Sequence, residues 1–219
     1  MYKLLTFHNR VTKKSKSLIV NSGVENCFYC WAFFATNNKL KNNMFNKNFY
    51  PTPIHVLDLM NIDCMNKTVL EPQAGKGDIV DYLKLNGAKK VIACEINKDL
   101  QKIVQSKCEL IGGDFFNITK ENISHVQLIV MNPPFDNAEK HILHAFEIAP
   151  EGCEIISLCN WQTISKKYLY TKLEYLIRDA NGITQNLGDC FSDSERKTNV
   201  EVGLITLFKP IISADAEFE

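Results

Sequence analysis

Short apolar runs near 68–71, 90–94, 109–112, 126–131 and 153–159 alternate with stretches of helical periodicity near 78–86, 97–107, 138–148 and 164–179, and this alternation leaves few folds open. The runs are too short to be buried helices and show little polar alternation, so they read as strands covered on both faces. A strand that returns to a parallel neighbour needs a crossover, and the helical stretches supply it, which predicts an α/β fold with a largely parallel sheet and helices on both sides. Pro53–Met60 reads as a short entry helix. After Gly182 the pattern changes to shorter extended segments, and Val200–Phe208 alternates enough to be a final strand.

The chain has 219 residues, 45% of them hydrophobic and 23% charged, enough to bury a full core with an ordinary globular balance. No apolar stretch reaches bilayer length and the first residues lack a signal-peptide core, so a cytoplasmic protein without membrane contact is expected. Of eight cysteines, Cys27 and Cys30 form a lone C-x-x-C pair without a partner pair at zinc-site spacing; reduced thiols and no metal are expected, with Cys94, Cys153 and Cys159 in buried strands. The formal charge of zero hides a split: residues 1–48 hold eight Lys and Arg against one Glu, leaving 17 basic and 24 acidic residues in the rest. A basic extension over 1–47 can supply phosphate contacts to an acidic core, or be a solvated tail. Its aromatic cluster Cys27–Ala35 is too apolar to be left in water, and Met44 is an alternative start.

Asn132-Pro133-Pro134-Phe135 follows the apolar run Val126–Met131 directly, at the C-terminal edge of a strand, where open α/β sheets bind ligands. Two prolines fix φ and remove two backbone donors, leaving carbonyl acceptors beside an amide. That combination suits an NH₂ group, and the Phe135 ring offers a face for a planar substrate. Alone, Asn-Pro-Pro is also a plain turn. Upstream, Thr68–Asp78 reads T-V-L-E-P-Q-A-G-K-G-D, a strand, an acidic residue and a glycine-rich turn entering a helix. Gly75 and Gly77 allow close approach to the main chain, and Glu71 can accept from a cation or hydroxyls. The spacing fits neither the phosphate-cradling loop nor the full dinucleotide fingerprint. Glu95 follows the next apolar run, the position from which an acidic side chain binds ribose, or begins a helix at Asn97.

The ordered set F-Y-P-T-P (Phe49–Pro53), E-P-Q-A-G-K-G-D (Glu71–Asp78), A-C-E-I-N (Ala93–Asn97), G-D-F-F (Gly113–Phe116) and N-P-P-F resembles the class I S-adenosylmethionine-dependent methyltransferases. Within them it is most similar to the adenine-N6 DNA methyltransferases of phages and mobile elements. The resemblance runs from about Phe49 to Pro210 and implies a Rossmann-like domain over 48–219 with a mostly parallel seven-stranded sheet ending in an antiparallel hairpin. It also implies that Tyr50, Thr52 and Pro53 line the methionine end of S-adenosylmethionine. Glu71, Gly75 and Gly77 would hold its amino-acid part, Glu95 with Ile96 its ribose side, and Asp114 with Phe115 its adenine. Asn132, Pro133, Pro134 and Phe135 would carry the catalytic contacts to the substrate amine.

Sequence-specific DNA methyltransferases usually carry a sizeable recognition region, and only about 60 residues follow the fifth strand. The loop Asp189–Asn199 is the best local candidate, with Arg196 and Lys197 able to reach phosphate or base. Specificity can otherwise come from the extension or from a protein partner. N-P-P-[FY] also serves enzymes that methylate RNA amines or protein glutamine, and a silent cofactor-binding subunit is the rival from another class.

Overall fold

The computed structural model describes residues 51–165, 171–192 and 200–212. Helix α1 (Ile54–Leu59) precedes β1 (Thr68–Glu71), α2 (Asp78–Leu85), β2 (Lys90–Cys94), α3 (Lys98–Gln105), β3 (Glu109–Gly112), β4 (Leu128–Met131), α4 (Ala138–Ile148) and β5 (Glu154–Asn160). Then come α5 (Trp161–Ser165), α6 (Lys172–Asp179), β6 (Ile183–Gly188) and β7 (Val202–Phe208). The strands form one seven-stranded sheet of order β3-β2-β1-β4-β5-β7-β6. The first five are parallel to one another, and β7 runs antiparallel to both β5 and β6, as the expected closing hairpin does.

Two cores explain why the central strands are apolar throughout. Leu70, Ile129, Met131, Ile155 and Cys159 face Ile142 and Ala145 of α4 and Leu173 of α6. Their alternates Val69, Leu128, Val130, Ile156 and Leu158 face α1, α2 and α3, against Leu57, Ile79, Leu83 and Val104. Every residue of β1 and β4 is buried, so both positions of the strand repeat must be apolar except where a ligand or partner meets the side chain. Each such Leu or Ile contributes about 1.5–3 kcal/mol by leaving water.

Element bounds follow the sequence reading to within two residues for most of the chain. The fourth strand starts at Leu128 rather than Val126, because Val126 N closes a turn onto the Ile123 carbonyl at 2.9 Å. The helix expected over 164–179 is two helices: Thr171 caps α6, its Oγ1 accepting from Glu174 N at 3.1 Å, and residues 166–170 lie outside the described set. Cys153 sits one residue before β5; it, Cys94 and Cys159 are buried free thiols whose pKa burial pushes up to about 12. Cys27, Cys30, Met44 and the rest of the 1–47 extension lie outside the described residues. Among the described residues no helix is long and apolar enough to cross a membrane.

Candidate active site

The strand order reverses between β1 and β4, which places the loops after these two strands side by side at the C-terminal edge of the sheet. A ligand crevice forms at such a reversal. The first loop holds Glu71 to Gly77 and the second Asn132 to Phe135.

Glu71 ends β1 and is 2% exposed. Its Oε2 is buried with no hydrogen-bond partner. Burial, reinforced by Asp78 and Glu95, holds its carboxyl well above the ordinary 4.5, against a backbone hydrogen bond from the start of α2 and the charge of Lys107. An orphaned buried carboxyl oxygen costs about 1–3 kcal/mol, which a donor from a ligand would relieve. The turn that follows takes left-handed backbone angles at Gly75 (φ 57°) and Gly77 (φ 81°), and the latter also forms the N-cap of α2. At Gly77 space is short as well, since a Cβ there would lie 2.9 Å from Lys107 Cδ.

Remote segments tie this turn down. Gly75 N donates to Glu95 Oε2 at 2.6 Å, and Ala74 N to the Cys94 carbonyl at 2.9 Å. Lys107 Nζ donates to the Lys76 carbonyl and to Asp81 Oδ2, both at 2.6 Å. Gln73 Nε2 lies 3.0 Å from His141 Nδ1 on α4. Burial lowers the pKa of His141, against the pull of Asp114.

Glu95, buried at the end of β2, also accepts from Asn97 N at 2.7 Å through Oε1, so two of its roughly four acceptor positions remain. Burial raises its pKa while these backbone donors oppose the shift. Ile96 beside it is 72% exposed. Asn97 caps α3, accepting from Asp99 N at 2.9 Å, so the two expectations for this segment are compatible: the acidic side chain faces the glycine turn and Asn97, two residues on, opens the helix. Asp114 half-faces solvent after β3, with Oδ1 accepting from Phe116 N at 3.0 Å. Phe115 is core, edge-on to His144 at 4.8 Å, whereas Phe116 is exposed and packs on His141 at 4.6 Å.

On the second loop, Pro133 is buried and Asn132 half-buried. Asn132 Nδ2 donates to Thr52 Oγ1 at 2.9 Å, which joins two motifs 80 residues apart. Pro53 sits at the N-cap of α1. Phe135 is half-buried and meets Phe191 edge-on at 6.4 Å. Phe191 lies in the loop after β6, which α1 also grips: His55 Nε2 is 2.8 Å from the Cys190 carbonyl. Tyr50, Arg196 and Lys197 lie outside the described residues. The sequence reading missed Gln73, Lys107, His141 and Phe191. Gln73 stands inside the glycine motif and Phe191 is the apolar residue of a polar loop, both visible signals; Lys107 and His141 carry none.

No protein-family model and no curated protein matches the sequence. Solved structures do share the architecture. A dimethyladenosine transferase from Plasmodium falciparum superposes with TM-score 0.57 at 16% identity, over 73% of this chain and 62% of that one. The 23S rRNA methyltransferase ErmE gives 0.56 at 14%, over 76% and 72%. A candidate RNA methyltransferase from Pyrococcus horikoshii gives 0.54 at 21%, over 74% and 87%. The chain therefore has the Rossmann-like fold of class I methyltransferases.

Proposed function

We propose that this chain is an S-adenosylmethionine-dependent N-methyltransferase whose acceptor is the exocyclic amine of adenine in nucleic acid, with N6 of adenine in DNA as the first substrate. The observation that carries the reading is the pairing of two unlike loops at one sheet edge. One has an orphaned carboxyl, Glu71, beside a glycine turn; the other presents a half-buried amide on a proline-fixed loop. The acidic groups Glu71, Asp78 and Glu95 favour a ligand that carries positive charge.

The residues fit the cofactor. Glu71 would take its ammonium, the turn at Gly75 and Gly77 would lie along it, Glu95 with Ile96 beside it would meet the ribose hydroxyls, and Asp114 with Phe115 would meet the adenine. When bound, S-adenosylmethionine would supply a methyl already activated by sulfonium, which the amine nitrogen would accept as the C–S pair returned to sulfur and a proton left the nitrogen for water. The protein's part is position and charge. Asn132 Oδ1 and the Pro133 carbonyl accept the two amine hydrogens, which frees the nitrogen lone pair from the ring and steadies the positive charge that grows during attack. Phe135 stacks on a base drawn out of its helix. The basic residues of 1–47 add phosphate contacts, so deleting residues 1–43 is expected to flatten the salt dependence of DNA binding.

The motif resemblance favours DNA. A second reading, RNA, is favoured by the structural neighbours, of which ErmE is named for 23S rRNA. Transfer of radiolabelled methyl to unmethylated DNA, total RNA and a protein extract in parallel, with Asn132→Ala as control, decides between them. Label recovered from DNA as N6-methyladenine supports the first reading. Label in RNA alone moves the substrate, label in protein moves it to glutamine, and cofactor binding without transfer makes the chain a silent subunit.

A further inference from the structure

We infer that Thr52 is a positioning residue for transfer: its hydroxyl holds the Asn132 amide with the nitrogen turned inward, so that Oδ1 is the end offered to the substrate amine. The inference rests on the amine-transfer reading above, and it gives Thr52 a role separate from lining the cofactor.

The two ends of an asparagine amide have nearly the same shape, and only hydrogen bonding decides which one faces a ligand. An outward oxygen accepts from the incoming amine. An outward NH₂ would present two hydrogens to a group whose own hydrogens need acceptors, and would compete for the lone pair that must attack. Here Nδ2 donates to Thr52 Oγ1 at 2.9 Å, the one arrangement of this pair that leaves Oδ1 to the substrate.

The holder is itself fixed. Thr52 is 7% exposed and stands between Pro51 and Pro53. The following proline biases its backbone to extended conformations, and its β-branch limits χ1. Pro53 is anchored in turn, its carbonyl accepting from Val56 N at 3.0 Å and Leu57 N at 3.2 Å, and the side chains of both residues are buried in the core. The acceptor for Asn132 thus stands on a segment that cannot drift. In the Asn132 loop Pro133 and Pro134 lack the N–H groups with which a loop usually ties itself down, so the Thr52 contact adds a hold that the backbone there does not supply.

The test compares Thr52→Val, which keeps the shape and removes the hydroxyl, with Thr52→Ser, which keeps the hydroxyl. Steady-state transfer at saturating substrate gives kcat, with single turnovers isolating the transfer step, titration with S-adenosylhomocysteine gives cofactor affinity, and ¹H–¹⁵N spectra follow the Asn132 side-chain amide, assigned by its loss in Asn132→Ala. The expected result is a kcat lowered roughly 2- to 13-fold in Thr52→Val, the factor one hydrogen bond is worth. S-Adenosylhomocysteine affinity should stay within about two-fold, most of the rate should return in Thr52→Ser, and the Asn132 amide protons should shift and exchange faster in Thr52→Val alone. An unchanged kcat, or a loss of cofactor affinity with kcat intact at saturation, overturns the role. Absence of transfer from the unaltered protein to any substrate would sink the amine-transfer reading instead, and the amide spectra would still decide whether Thr52 holds Asn132. Should Thr52→Val fail to fold, Thr52→Ala carries the same three measurements.

Discussion

The glycine turn after β1 and the proline loop after β4 meet at one crevice and are held in opposite ways. The glycine turn uses two left-handed residues, at Gly75 and Gly77, and would be floppy by itself; it is fixed from outside, by Glu95, Lys107 and Gln73–His141. The proline loop is stiff by itself, and among the described residues its ties to other segments are chiefly Thr52 to Asn132 and Phe191 to Phe135. A loop held by many distant ties should lose function gradually as they are cut one at a time. A loop held by its own rings and one polar contact should fail at single points.

The largest expected effect is on the proline side. Asn132→Ala should lower transfer by about 10²–10³-fold, the cost of one preorganised polar contact to the reacting group, while S-adenosylhomocysteine still binds in calorimetry. Cofactor binding lost together with transfer would contradict the division between the two loops. Next, Phe135→Ala should cost about 1–3 kcal/mol of binding on a stacked base, and more on duplex than on single-stranded DNA because the extruded base loses its platform. Equal losses on both forms would remove the stacking role.

On the glycine side effects should be smaller and additive in part. Gly77→Ala meets both a left-handed backbone and Lys107 Cδ at 2.9 Å, so about 1–2 kcal/mol of stability should be lost in urea unfolding. Adding Lys107→Ala, which removes Cδ, should relieve the contact but not the backbone strain, so the double variant compared with Lys107→Ala alone separates the two causes. The smallest effect concerns pH. The Glu71 carboxyl is held well above 4.5 when folded, so between pH 4.5 and that raised value the folded chain binds a proton the unfolded chain has shed, and stability falls as pH rises. Glu71→Gln should flatten that decline in urea midpoints, leaving the milder contribution of Glu95, whose pKa is raised in the same sense.

Much of this was legible before any coordinates. The central strands announced themselves because burial on both faces leaves few polar positions, less so the half-open edge strand β3, and the glycine and proline loops did so because unusual backbone needs unusual residues. What the residues could not convey was which distant side chains close on those loops. Lys107 looks like any helix-terminal lysine, and nothing in T-P says that its hydroxyl meets Asn132. Such contacts depend on crossover geometry rather than local preference. Phe115 and Phe116 illustrate the limit: the motif does not tell which of the two adjacent rings is buried, and the fold buries Phe115 against His144 and exposes Phe116.

The grip of α1 on the loop after β6 spans 135 residues, and the Thr52 contact spans 80. On a ribosome adding about 5–20 residues per second, roughly 7–27 s therefore pass between the emergence of His55 and that of Cys190. During that interval the first strands can pair, but the wall formed by Phe191 beside Phe135 does not yet exist. A nascent or prematurely ended chain would hold a half-built crevice, so competence to react arrives late in synthesis and all at once.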